Sequence, residues 1–182
     1  MYGNISIIIQ NQLHGGVRMR KSPLILSMIL LSLTLIMGCS SEVDDATKAA
    51  EKYKNVEYTI KVSDDLFSEE SILARNEEMK PYFTEYYTEK AIGSRITTIP
   101  FQIANKQKLS LKPDNLKFTL SEQKKNIVEL KYTCDLVMLD KDDKESKRVP
   151  LEGILTMFDV DGQWLVQGDR FDSEALMKLI YD

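Results

Sequence analysis

The stretch NIVELKYTCDLVML, residues 126–139, decides the fold class of this chain. Its side chains alternate between apolar and polar, so that one face of an extended backbone carries only apolar or aromatic groups. Alternation with a period of two over this length predicts a half-buried β-strand. The residues predicted on the buried face are Val128, Leu130, Tyr132, Cys134, Leu136 and Met138.

Two predicted hairpins follow this strand. The charged segment at 140–147 is expected to turn the chain, and RVPLEGILTMFDV at 148–160 returns it as a strand with a bulge at Gly153. The pair Asp161–Gly162 favours the tight turn that joins two antiparallel strands, and QWLVQGDRF at 163–171 follows it. The second half of the chain therefore predicts an antiparallel sheet.

The residues before the predicted sheet have sequence patterns typical of helices. Helices are predicted over 45–55, from Ser68 to Lys80, and from Pro81 to a left-handed cap at Gly93. The alternating segment VEYTIKV at 56–62 fits either a strand or an extension of the first helix.

After Gly93 the chain becomes rich in β-branched residues. We expect residues 94–114 to cross the domain in an extended form and to lead into a strand at 115–120. A short helix is predicted at 172–182, after the last strand.

Helices followed by long antiparallel hairpins resemble the NTF2-like family in order and size, and in particular the lipid-anchored NTF2-like domains of Gram-positive bacteria. The resemblance covers roughly residues 45–172, including the aromatic segment PYFTEYYTE and the closing DVDGQWLVQGDRF. It implies a single α+β domain over 45–182, with N-terminal helices packed on a curved antiparallel sheet that forms a cone. Enzymes of the family place Asp, His or Tyr inside the cone to move protons.

The N-terminal region has the pattern of an export signal. A basic cluster precedes an apolar run of about sixteen residues at 23–38, which is shorter than the ~20 residues of a membrane-spanning helix. Ile36, Met37, Gly38 and Cys39 resemble the lipobox of bacterial lipoproteins. That resemblance implies a signal peptide at 19–38, a lipid on Cys39, a tether at 39–44, and a location on the extracytoplasmic face of the cell membrane. The alternative is an uncleaved signal anchor.

Residues 1–18 do not fit a signal peptide, because their only formal charge is Arg18 and an apolar segment precedes the basic cluster. Gly15 and Gly16 require GGN codons just upstream of Met19, as a translated ribosome-binding site would. We therefore predict that Met19 is the start and that 1–18 is an untranslated leader.

Composition excludes several classes of function. The only histidine, His14, lies in the predicted leader, so a chain beginning at Cys39 has no Ser-His-Asp or Cys-His arrangement and no histidine-ligated metal. Cys134 would lack a disulfide partner and is predicted to be a small buried hydrophobe. Without Arg18, Arg20 and Lys21, 21 basic residues face 28 acidic ones, a formal charge of −7 that disfavours nucleic acid as a partner.

Candidate site residues fall into two groups. Tyr82, Tyr86 and Tyr87 of the predicted third helix, with Phe83, would share one face, either as core or as a cone mouth that grips a ligand. Asp169 could point into the cone as a general base, with Tyr132 as proton donor, or could form an edge ion pair with Arg170.

The acidic tip between the second and third strands resembles part of a calcium loop, but it lacks the required glycine and the closing glutamate, so a solvated hairpin tip is expected. We expect no metal and no cofactor.

Two functions remain open. We favour a non-catalytic lipoprotein that holds an unknown protein or small molecule at its cone opening or sheet face. The alternative is a pocket enzyme that uses Asp169 and Tyr132. A third possibility is a homodimer that pairs through the sheet face, where Ile127, Val137 and Leu139 point outward.

Overall fold

The computed structural model describes residues 23–181, with side chains from residue 41 onward. The leader predicted at 1–18, His14 and the start predicted at Met19 lie outside the described residues, and so does the side chain of Cys39. The chain divides into two units between Met37 and Gly38, and all elements after the first helix belong to the second unit. Within the described residues, no helix combines the length and the apolar content needed to span a membrane.

Five helices and four strands make up the described fold. The helices are α1 Pro23–Tyr58, α2 Glu69–Met79, α3 Glu85–Gly93, α4 Ile99–Gln107 and α5 Ser173–Tyr181. The strands are β1 Ser110–Lys124, β2 Ile127–Leu139, β3 Glu145–Val160 and β4 Gln163–Phe171. They pair in the order β1-β2-β3-β4, with every pair antiparallel. The fold is thus α+β, with helices packed on a curved antiparallel sheet in an NTF2-like arrangement, as the sequence predicts.

The strand predictions are confirmed. β2 buries the six side chains expected on its inner face, and Asp161 and Gly162 both have positive φ, +54° and +85°, as a two-residue hairpin turn requires. The bulge predicted at Gly153 is wrong, because the β2–β3 register is continuous there. This glycine instead lies opposite Tyr132 and leaves room for its ring.

The first helix is longer than predicted. α1 continues through Tyr58, and the segment 39–44 predicted as a tether is also helical. Beyond the helix, Ile60 forms a single antiparallel bridge with Leu111. Helical geometry prevails at 56–58 because it places Glu57 and Tyr58 on the buried side of α1.

The extended crossing predicted at 94–114 is wrong in its first half. Residues 99–107 form α4, in which Pro100 lies in the first turn, where a missing N–H costs nothing. Phe101, Ile103 and Ala104 are buried at helical spacing, so the need to bury this face outweighs the extended preference of the β-branched residues.

The third helix begins later than predicted. Pro81 opens only a 3-10 turn, Phe83 is extended, and the Thr84 hydroxyl accepts a hydrogen bond from the N–H of Tyr87 at 3.2 Å to cap α3. The left-handed cap predicted at Gly93 is also wrong: Gly93 is helical, and the positive φ, +57°, occurs at Arg95.

Candidate functional site

The side chain of Lys54 is completely buried within the domain. Its Nζ is 2.6 Å from Oε2 of Glu57 and 2.7 Å from Oδ2 of Asp169, whose side chain is also fully buried. A buried charge is tolerated only when it is paired, and here one ammonium faces two carboxyl groups. These three residues are called the buried triad below.

Aromatic rings surround the ammonium. Its Nζ lies 4.2 Å from the ring centroid of Tyr132, 5.0 Å from that of Tyr58 and 5.1 Å from that of Tyr53. Each distance is within the range of a cation–π contact, which is strongest where water is excluded. The rings therefore add attraction for a cation while keeping solvent away from the triad.

The hydroxyl of Tyr53 connects the two carboxyl groups. Its oxygen is 2.9 Å from Oδ2 of Asp169 and 3.1 Å from Oε1 of Glu57. The phenol carries a single proton that both carboxyl groups can accept, so Tyr53 links them in one hydrogen-bonded network. Burial raises the pKa of Glu57, and the neighbouring Lys54 ammonium opposes this shift.

Electrostatic interactions keep Lys54 charged in the folded protein. Burial alone would lower the pKa of Lys54, but Asp169 and Glu57 outweigh it, and the pKa lies well above its ordinary value. Burial also raises the pKa of Tyr53 well above 10.0, so the phenol keeps its proton. The triad thus holds a charged Lys54 between two buried carboxyl groups, beside a phenol that keeps its proton.

Residues spaced along one face of α1 form half of the site. Ala46 and Ala50 face the core, and the same stripe continues one turn later with Tyr53, Lys54 and Glu57. The stripe ends at the last turn of α1, where the buried guanidinium of Arg75 donates to the carbonyl oxygens of Val56 at 3.2 Å and Glu57 at 2.7 Å. A cation on these carbonyls satisfies the helix end and fixes its position.

The sheet supplies the other half, by way of a bulge. Val166 faces inward opposite Met157, and a register shift follows between Thr156 and Met157. The extra residue reverses the alternation, so that Asp169, three residues after Val166, also faces inward. Arg170 points outward and pairs with Glu129 at 3.0 Å, so the alternative of an edge ion pair between Asp169 and Arg170 is wrong.

The predicted aromatic face does not form. Tyr87 is buried and packs edge-on against Phe83 at 5.0 Å, Tyr82 is half-buried with its ring 6.4 Å from that of Tyr53, and Tyr86 is 63% exposed. The interruption of the helix at Phe83 separates residues that a continuous helix would have aligned. The structure does bring together the other two predicted site residues, Tyr132 and Asp169, which both lie beside Lys54.

Sequence reasoning missed Lys54 and Glu57. The signal was present, since two charged residues occupy positions of an apolar helical stripe that begins at Ala46. A charge at such a position requires a buried partner of opposite sign. The possible strand at 56–62 obscured this, because a strand places Glu57 on the solvent side.

The remaining predicted groups have ordinary environments. Cys134 is buried, as predicted, and burial raises the pKa of its thiol to about 11. At the acidic tip, the carboxylate of Asp140 accepts the backbone N–H groups of Asp142 at 2.8 Å and Lys144 at 3.0 Å, which stabilises the turn. In the part of the chain that the structure describes, no cluster of acidic, cysteine or histidine side chains is arranged to hold a metal.

Comparison with known proteins assigns this chain to no family. The sequence matches no protein-family model and no curated protein. Among solved structures, the fold is similar to that of a periplasmic fragment of TraM, with 10% sequence identity and a TM-score of 0.48, over 70% of this chain and 95% of that chain.

Proposed function

We propose that this protein is a lipid-anchored lipoprotein on the extracytoplasmic face of the membrane, and that its NTF2-like domain is a non-catalytic module that binds a protein or small molecule. The observation that supports a non-catalytic role is that the groups of the buried triad are already paired with one another. Asp169 is fully buried and already engages Lys54 and Tyr53.

A general base must come within hydrogen-bond reach of its substrate. Asp169 and Tyr132 are the residues that an acid–base enzyme of this fold would use, yet both side chains are closed off from solvent. A substrate could reach them only after displacement of Lys54 from two carboxyl groups. The pocket-enzyme alternative therefore requires an opening of the core, whereas a binding module requires none.

The anchor proposal is supported by the distance between Cys39 and the packed core. Ala46 is completely buried, and Gln123 near the β1–β2 turn donates to Glu42 at 3.0 Å. At 1.5 Å per helical residue, the seven residues from Cys39 to Ala46 span about 10 Å. A lipid on Cys39 would hold the domain next to the bilayer, with its strands and remaining helices available to a partner.

Two surfaces are open to a partner. A groove of about 660 Å³ is lined by residues of α5 and β3, among them Lys147, Val149 and Lys178. The outer face of the sheet is charged, with Arg148 bound to Asp114 at 2.8 Å and to Asp135 at 2.9 Å.

The sheet face also bears on the homodimer considered above. Of the three residues expected to form an apolar patch there, Val137 is completely buried and Ile127 and Leu139 are half-buried. A homodimer through this face would therefore have little exposed apolar surface to bury, and a charged or polar partner fits it better.

The test combines localisation with capture. Cys39→Ala is expected to move the protein from the membrane fraction to the soluble fraction and to abolish metabolic labelling with a fatty-acid probe, while Ser40→Ala leaves both unchanged. Cross-linking in cells, followed by mass spectrometry, would identify the partner held by the anchored form. A Cys39→Ala protein that stays in the membrane, or a wild-type protein that takes up no lipid, would disprove the anchor.

A further inference from the structure

We propose that the side chains of Lys54 and Asp169 become joined by an amide bond, which forms within the folded domain with Glu57 as the proton carrier. The proposal concerns a covalent modification of the core and does not depend on the anchor or on any partner. It rests on the position of the two side chains, the exclusion of water and the chain of proton donors between them.

The reacting groups are already in contact. Nζ of Lys54 is 2.7 Å from Oδ2 of Asp169, so the nitrogen that would attack is in hydrogen-bond contact with the carboxyl group that would receive it. Both side chains are completely buried and held in place by their neighbours. Fixed contact of this kind replaces an improbable collision with a reaction inside one molecule.

Burial supplies the driving force. An ammonium and a carboxylate without water are expensive to keep, and a neutral group of similar volume in their place is often as stable or more stable. Oδ1 of Asp169 has no hydrogen-bond partner among the described residues, so the carboxylate is only half satisfied. An amide removes both charges and releases a water molecule.

A route for the protons is visible. Oε2 of Glu57 is 2.6 Å from Nζ of Lys54, Oε1 of Glu57 is 3.1 Å from the Tyr53 hydroxyl, and that hydroxyl is 2.9 Å from Oδ2 of Asp169. Glu57 can take a proton from the ammonium and pass one on through Tyr53 to Oδ2. These transfers leave a neutral amine beside a neutral carboxylic acid, with no change in the total charge of the triad.

The bond-forming step then balances. The lone pair of Nζ attacks Cγ of Asp169 to form the Nζ–Cγ bond, and the Cγ–Oδ2 bond breaks. A second proton leaves Nζ by the same path through Glu57 and Tyr53, and Oδ2 departs as water. The ammonium has lost two protons, the departing water contains two, and Glu57 ends in the protonation state in which it began.

The same contacts distinguish the two carboxyl groups. Both oxygens of Glu57 are engaged, one with Lys54 and one with Tyr53, as a proton carrier requires. Oδ1 of Asp169 is unpaired and becomes the amide oxygen, so no existing hydrogen bond is lost there. We therefore assign the bond to Asp169 and the proton transfer to Glu57.

The link would join distant parts of the chain. Lys54 lies on α1, the helix that includes Cys39, and Asp169 lies on β4, 115 residues away. A bond between them constrains the unfolded chain as a disulfide does. The domain would thereby gain a covalent crosslink in a chain whose only other cysteine, Cys134, is free and buried.

The experiment is peptide mass spectrometry of the purified, denatured full-length protein after trypsin digestion. We expect no cleavage after Lys54 and a branched peptide that contains both Lys54 and Asp169, lighter than its two parts by one water molecule. In Asp169→Ala and in Glu57→Gln the two peptides should separate, with cleavage after Lys54 restored. Glu51→Gln, an exposed change on the same helix, should leave the branched peptide unchanged.

The wild-type measurement decides the proposal even if a variant fails to fold. Normal cleavage after Lys54, with both peptides at their unmodified masses in folded wild-type protein, would overturn it, as would a bond from Lys54 to Glu57. A complete branched peptide in folded Glu57→Gln would overturn the role given to Glu57. None of these readings depends on the N-terminus, so failure of the anchor leaves them unaffected.

Discussion

The ring of Tyr132 lies directly across the β2–β3 pair from Gly153, at a distance that no other residue at 153 would allow. A Cβ at this position would come within 2.6 Å of the Tyr132 ring and hydroxyl and within 2.6 Å of the carbonyl oxygen of Arg170. The glycine thus allows the ring to lie against Lys54. The sheet and the buried triad are coupled through this contact.

Gly153→Ala is expected to destabilise the domain by about 1–3 kcal/mol, because the ring and the strand must shift to admit a methyl group. Gly168→Ala is the matched control, since its nearest neighbours are the side-chain atoms of Thr156 at 3.8 and 3.9 Å. Urea unfolding followed by circular dichroism measures both. Equal stability of the two variants would contradict the packing described for Tyr132.

Lys54→Met is expected to cost about 3–5 kcal/mol, because it leaves the carboxyl group of Asp169 buried without its partner. Lys52→Met, an exposed change on the same helix, should change the free energy of unfolding by less than about 0.5 kcal/mol. The measurement is again urea unfolding of the two variants beside the wild type. A similar loss in both would show that the lysine is not a structural part of the core.

The stability of the domain should decrease as pH rises from the ordinary pKa of Glu57, 4.5, through its raised folded-state pKa. Burial raises this pKa above its ordinary value of 4.5, so the folded chain holds the proton more tightly than the unfolded chain. The contribution is complete below the unfolded value and is lost as the folded group ionises, with a slope of at most about 1.4 kcal/mol per pH unit.

Glu57→Gln should remove this part of the pH dependence, and Glu51→Gln should keep it. The hydrogen bonds from Arg148 lower the pKa of Asp114 and Glu145, so their effect has the opposite sign and falls at more acidic pH. Unfolding free energies measured at pH values above the ordinary pKa of a glutamate therefore separate the effect of Glu57 from theirs. An unchanged slope in Glu57→Gln would place the titrating proton elsewhere.

Cys134 should resist thiol reagents in the native protein. It is buried, and its pKa of about 11 leaves almost no thiolate at neutral pH. In a Cys39→Ala chain it is the only thiol, so iodoacetamide labelling measures it alone. We expect labelling only after denaturation, and rapid labelling of the folded protein would show that the core opens.

Tyr132→Phe should leave capture of the cellular partner unchanged, because the hydroxyl is buried and its removal keeps the ring beside Lys54. Under the pocket-enzyme alternative the same change would remove the proton donor and abolish function. Cross-linking yield, measured beside a variant of an exposed tyrosine such as Tyr86→Phe, separates the two outcomes. Asp169→Asn, if folded, should behave in the same way.

Local pattern was enough to predict the sheet. Alternation along β2 and the Asp161–Gly162 turn are set by residues adjacent in sequence, and the structure has both. The helical region was predicted less well, because at residues 99–107 local preference for an extended chain competes with burial of one helical face. Only packing decides that competition, and packing involves residues far away in the chain.

By itself, the sequence determined the α+β class, the order of the strands and the burial of Tyr132 and Cys134. Only the tertiary structure determined that Asp169 faces inward, because a bulge in β4 reverses an alternation that the sequence would otherwise continue from Val166. It also placed Lys54 and Glu57 against that carboxylate. The reason is physical: a buried charge is stable only beside its partner, and the partner here comes from a strand 115 residues away.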